Sequence, residues 1–111
     1  MKNDYVSNYL DLIILNELKK ESLHAYALIK SLRGMINDNN VIKDSSVYNA
    51  LKRFEKKGLI LGYDQPQENG RKRYIYNISD LGKQELLELK TNWLETKKKI
   101  DSIIEEGNYD N

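Results

Sequence analysis

Near the C-terminal end, one stripe of residues falls at alternating steps of three and four: Leu86, Leu89, Trp93, Thr96, Ile100 and Ile103, with Thr96 its one polar member. That spacing is a heptad seam, the pattern of a straight helix that packs along one side on another helical surface. Leu87, Leu94 and Ile104 form a second stripe beside it. With Ser79 as N-cap the helix runs for roughly 27 residues and spans ~40 Å. A chain of 111 residues has material for one domain with a modest core. A helix of that length overhangs such a domain, so part of it is expected to pack on a partner chain.

The remaining segments fill in what precedes it. Residues 5–19 read as a helix that is apolar nearly all round, through Tyr9, Leu10, Leu12, Ile13, Ile14, Leu15 and Leu18. Such a helix is buried on more than one side. Residues 24–36 read as a second helix with Tyr26, Ile29, Leu32 and Ile36 inward, followed by a polar turn at Asn37-Asp38-Asn39-Asn40. Residues 46–57 read as a third, with Ser45 as N-cap, Val47, Tyr48, Leu51 and Phe54 inward, and Gly58 as C-cap. The period then drops to two. Leu59–Asp64 and Lys72–Ile78 read as a hairpin, with Tyr74, Tyr76 and Ile78 on one side and an Asn69-Gly70 turn signal between the strands. The fold class expected is mainly α with a small β-hairpin: a winged helix-turn-helix over residues 1–78, a dimerisation helix over 79–106 and a flexible tail over 107–111.

Charge is unevenly spread. The net charge is only +1, but residues 1–42 are neutral, 43–78 carry +4 and 79–111 carry −3. A basic middle and an acidic end suggest one face for a polyanion and another for something else. Helix-turn-helix geometry sends the third helix into the major groove, with the wing beside it. Lys52, Arg53 and Lys56 on that helix and Arg71, Lys72 and Arg73 at the wing supply cations for phosphates. Ser46 and Asn49 are short polar groups suited to base edges or phosphates, and Asn49 with Arg53 are the candidates for base readout.

Other chemistry is not indicated. There is no cysteine, hence no disulfide framework or thiolate site, which fits a reducing cytoplasm. No signal segment or apolar run of membrane-spanning length is read. One histidine, His24, cannot make a metal site and reads as a structural hydrogen-bonding residue. Glu85, Glu88 and Glu95 read as a solvated helix face. No phosphate loop or metal-ligand spacing exists, so no cofactor, metal or catalytic residue is expected and the chain reads as a non-enzyme.

Three segments carry a resemblance. Leu23-His24-Ala25-Tyr26-Ala27-Leu28-Ile29, the stretch from Ser46 to Ile60, and the stretch from Gly70 to Gly82 resemble helix two, the recognition helix with its first strand, and the wing with the start of the last helix in the PadR family of bacterial transcriptional regulators, short C-terminal-helix subgroup. The resemblance covers about residues 8–106. Ala25 stands where the family usually has glycine and Asn49 where it often has proline. The resemblance implies that Tyr48, Lys52 and the wing cations approach DNA.

The expected assembly is a homodimer, with Leu10, Ile14, Leu86, Leu89, Trp93, Ile100 and Ile103 at its interface. It would bind a pseudo-palindromic double-stranded operator as a cytoplasmic repressor. Trp93 has two readings: an anchor at that interface, or a wall of a pocket for a small aromatic effector, which some family members have in this helix. The rival function is a winged-helix protein-interaction module without specific DNA binding.

Overall fold

The computed structural model describes residues 9–36 and 42–109. Its elements are α1 (Leu10–Lys20), β1 (Leu23–His24), α2 (Ala25–Ile36), α3 (Asp44–Lys56), β2 (Ile60–Pro66), β3 (Lys72–Ile78) and α4 (Asp80–Tyr109). The three strands form one antiparallel sheet in the order β1-β3-β2. The helix-helix-helix-hairpin-helix order matches the winged helix-turn-helix expected from the sequence. Positions 5–8 of the expected first helix and the turn at 37–40 lie outside the described residues.

One core joins the elements. Ile14, Leu15 and Leu18 of α1, Leu28, Ile29 and Leu32 of α2, and Val47, Ala50, Leu51 and Phe54 of α3 are buried together with Ile42, Leu59, Ile60, Ile78 and Leu86. Each of these larger side chains, Ala50 apart, contributes on the order of 1.5–3 kcal/mol through removal from water. Glu17 is buried with them, and its two oxygens accept from Ser31 and Lys20, each at 3.2 Å.

Several boundaries and faces differ from the sequence expectation. Tyr26 is 70% exposed and Tyr48 also faces out, so neither belongs to the inner stripe of its helix. In their place Leu28 and Ala50 close the stripes. Ser45 is not the cap of α3. The helix begins at Asp44 and its N-cap is Lys43, whose backbone carbonyl accepts from Ser46 and Val47 N–H at 3.1 and 3.3 Å, with no side-chain cap. The Asp44 carboxylate is instead taken by Arg33 at 2.6 Å. Arg33 also donates to the Ile42 carbonyl, tying the end of α2 to the residues just before α3.

The turn chemistry holds. Gly58 has φ +77°, with Gly58 N–H donating to Glu55 O at 3.1 Å and Leu59 N–H to Phe54 O at 2.9 Å. That paired pattern ends a helix on a left-handed residue. Gly70 has φ +81° at the wing tip. The first wing strand runs further than expected, to Pro66, which pairs with Lys72 at the strand end, where the missing N–H costs little. Ile75 is buried on the side of β3 opposite Tyr74 and Tyr76, so the wing strand is covered on both faces at its base.

Ser79 caps α4 as expected, its hydroxyl accepting from Gly82 N–H at 3.0 Å and donating to the Gly58 carbonyl at 2.6 Å. The helix continues through Gly107 to Tyr109 rather than ending in a tail at 107. An internal glycine costs a helix only ~1 kcal/mol, too little to stop one of this length. Among the described residues no helix is long and apolar enough to cross a membrane.

The candidate nucleic-acid interface and the dimer face

The first link in the site is the placement of α3 by its buried stripe. With Val47, Ala50, Leu51 and Phe54 inward, Ser46, Tyr48, Asn49, Lys52 and Lys56 are left exposed along the helix. The wing carries Arg71, Lys72 and Arg73, all exposed, at the tip and first residues of β3. Among the described residues, none of Lys52, Lys56, Arg71 and Lys72 is paired with a carboxylate. Tyr48 of α3 and Arg73 of the wing line the same open notch, so the two elements converge on one surface.

Arg53 departs from this set. Its guanidinium donates to both oxygens of Asp11 on α1, at 2.8 and 3.1 Å, and lies 5.1 Å from the centre of the Phe54 ring. The bond to Asp11 raises its pKa further above the usual guanidinium range, although partial burial works the other way. An arginine held by a bidentate carboxylate is a clasp between α1 and α3. For Arg53 to read a base, the base edge would replace Asp11 as the partner of its exposed guanidinium.

Other residues join the surface. Tyr26, Lys30 and Gly34 of α2 line an open groove of about 510 Å³ with Asp44 and Tyr48 of α3. The sequence signal for Tyr26 is concealed by its helical spacing, which puts it on the apolar stripe. The wing is tied to α3 by the Tyr74 hydroxyl, which donates to Glu55. That bond, with burial and the charge of Glu55 acting the same way, pushes the Tyr74 phenol up to about 12. Gly62 makes the contact possible, because a Cβ there would fall on the Tyr74 ring. Burial first, then Glu55, also raises the pKa of neighbouring Tyr76.

The expected dimer residues divide into two groups. Ile14 is 0% and Leu86 1% exposed within a single chain, and Leu10 is also buried. These three are spent in the protomer core and offer a partner no surface, which corrects their assignment. Leu89 is half-buried against the core. Trp93, Ile100 and Ile103 are exposed, together with Leu87, Leu94 and Ile104. The seam is thus intramolecular at its start and uncovered from Trp93 onward. Trp93 meets the edge of Tyr9 at 4.9 Å between ring centres. It also lines an apolar groove of about 360 Å³ with Leu12, Ile13, Met35 and Ile36.

Among the described residues no cluster of His, Asp and Glu could hold a metal ion. His24 lies at the start of α2, with Nδ1 accepting from Ala27 N–H at 3.2 Å. That is the structural hydrogen bond expected of it.

Residues 14–88 match the transcriptional regulator PadR-like family. The chain is 32% identical over 105 residues to an uncharacterized protein of Lysinibacillus sphaericus, covering 95% of this chain and 96% of that one. Its fold is similar to a transcriptional regulator from Clostridium thermocellum, with a TM-score of 0.79 and 31% identity over 89% of this chain and 93% of that one. It is similar to a PadR family transcription regulator from Clostridium difficile, with a TM-score of 0.75 and 32% identity over 86% and 98%. A PadR-like transcriptional regulator from Bacillus cereus gives a TM-score of 0.78 at 26% identity over 91% and 96%. With the profile, the fold and the exposed cationic helix and wing in agreement, the chain belongs to the PadR-like family of transcriptional regulators.

Proposed function

We propose that the chain is a homodimeric, sequence-specific DNA-binding repressor acting in the cytoplasm. Its family consists of transcriptional regulators rather than enzymes. The observation that carries the reading is the convergence of α3 and the wing, where Tyr48 and Arg73 share a notch, while Lys52 and Lys56 of α3 and Arg71 and Lys72 of the wing are exposed and, among the described residues, paired with no carboxylate. Unpaired cations release counterions from DNA at no cost of breaking an internal ion pair. Ser46 and Asn49, exposed near the start of α3, are the groups proposed to read base edges.

The uncovered apolar residues of α4 support the dimer. The Cα radius of gyration is 17.0 Å, and the molecule measures 66 × 30 × 20 Å. A compact chain of this length has a radius near ~13 Å. The excess is an α4 that projects from its domain with Trp93, Leu94, Ile100, Ile103 and Ile104 in water. A second copy would cover them and place two α3 helices ~34 Å apart, on successive turns of a pseudo-palindromic operator. Occupancy of two grooves beside a promoter excludes polymerase, which favours repression.

An effector reading is favoured by one observation, the apolar groove under Trp93. Trp93 is the only tryptophan, so the tryptophan emission of the chain comes from the wall of that groove. Titration with planar aromatic cations and phenolic acids should shift it; an unchanged spectrum removes the effector from the proposal.

DNA binding is tested by titrating the purified chain on the DNA upstream of its own coding region and on a scrambled duplex, at two salt concentrations. Preference for the upstream DNA, weakening with salt and saturation at two chains per site are expected. Equal binding to both duplexes, or to neither, would refute a specific operator and leave a protein-interaction module.

A further inference from the structure

At the start of α2 the wing comes close, and an open notch of about 470 Å³ is lined by His24, Tyr26, Tyr48, Arg73, Tyr74 and Tyr76. The rings of His24 and Tyr26 are nearly parallel, with 6.4 Å between centres and 14° between planes. Its Nδ1 accepts from Ala27 N–H at 3.2 Å, and its Nε2 lies 3.1 Å from Nη1 of Arg73. A neutral imidazole has one N–H and one lone pair. With Nδ1 occupied by the helix-capping bond, Nε2 carries the hydrogen. Two donors then face each other with no acceptor between them. The other tautomer gives Arg73 an acceptor but turns a ring N–H onto the Ala27 N–H. An imidazolium satisfies neither contact, and burial together with the Arg73 charge lowers the pKa of the ring, keeping it neutral at neutral pH. The protein alone therefore leaves one of the two contacts frustrated. An anionic oxygen that accepts from both Nε2 and Nη1 relieves it and leaves the cap intact.

We propose that this notch seats one backbone phosphodiester of the DNA, held jointly by the guanidinium of Arg73 and the Nε2–H of His24. The inference rests on the DNA-binding reading and adds to it a neutral donor that no inventory of cations would find. The surroundings suit an anion. Arg73 is the charged group that bears on the ring, and the nearby carboxylate of Glu55 is occupied by the Tyr74 hydroxyl. The remaining titratable wall groups are tyrosines, and Tyr48 is shared with the groove along α3, so a phosphate here is continuous with a duplex lying on that helix.

The test is operator affinity measured across several salt concentrations. His24→Asn keeps a short side-chain acceptor for the Ala27 N–H but cannot donate where Nε2 does. It should weaken binding by about tenfold, as expected for a hydrogen bond to a charged group, with the salt slope unchanged because no charge is lost. Arg73→Gln should weaken binding and lower the salt slope by about one. The double variant should bind less weakly than the product of the two losses. A scan of single methylphosphonate replacements needs no His24 variant: one position per half-site should cost the wild-type chain affinity and cost Arg73→Gln clearly less. His24→Asn binding as tightly as wild type, losses that multiply, or no such position in the scan would overturn the seat while leaving operator binding in place. Wild-type chain that binds no operator at all would instead overturn the DNA-binding reading itself.

Discussion

Arg53 holds both oxygens of Asp11 across two helices while its flat face rests by Phe54. Both partners are nearly half exposed, so after solvent screening the pair is worth only about 0.5 kcal/mol. A double-mutant cycle between Asp11→Ala and Arg53→Ala, read by denaturant unfolding, should return a coupling of that size. Lys52→Ala should leave stability unchanged, weaken DNA binding across sequences and lower the salt slope by about one. At His24 the sign of a pH effect follows from its lowered pKa. The unfolded chain binds the proton more readily, so stability falls as pH drops below ~6.5 toward the folded value. Wild type should lose more melting temperature than His24→Asn between about pH 7.5 and about pH 5.5. Residue roles are only partly legible in the sequence. Lys52, Lys56 and the wing cations are exposed as the sequence implies. Spacing alone puts Tyr26 and Tyr48 inside, because a ring on the edge of an apolar stripe has the same spacing whether it turns in or out. The Arg53 clasp depends on a residue 42 positions away, and nothing local announces it.

Two glycines fix how the elements meet. A Cβ at Gly62 would fall on the Tyr74 ring, and one at Gly82 on the Leu59 carbonyl oxygen, with Ile78 Cγ1 at 2.7 Å. Gly82→Ala pushes α4 off the backbone at Leu59, just before β2, and should destabilise by about 1–3 kcal/mol in denaturant unfolding. Gly62→Ala displaces a ring that is partly in water. Its expected signature is loss of the late-ionising tyrosine, which in an ultraviolet titration of the wild type should appear about two pH units above model phenols. Element types are legible where a local signal exists: the change of period at Leu59, the left-handed Gly58, the cap at Ser79. The two-residue β1 escapes a sequence reading because its identity lies in pairing with Tyr76 and Ile75, some fifty positions on. The start of α3 falls earlier than its composition suggests because Asp44, which reads as a residue before the cap, is held in the first turn by Arg33, eleven positions back.

For the whole molecule, the heptad announces a long helix but not which part of it the protomer keeps. A stripe buried at home and a stripe buried on a partner have the same spacing. Leu86 belongs to the first, while Trp93, Ile100 and Ile103 are left open to water. Ile100→Glu with Ile103→Glu should leave the helical circular-dichroism signal near wild type, halve the mass seen by sedimentation and weaken operator binding at least tenfold, since two heads no longer bind as one. A wild-type chain that sediments as a monomer at the concentrations where it binds DNA would refute the dimer.

The weld at Ser79, whose hydroxyl bridges the end of α3's cap and the first turn of α4, makes those two helices a single crank. Tilting one α4 by about 10° would swing a point ~40 Å along the crank by about 7 Å. In the proposed dimer, a wedge between the two cranks at one end would therefore change the reach between the DNA-binding heads at the other.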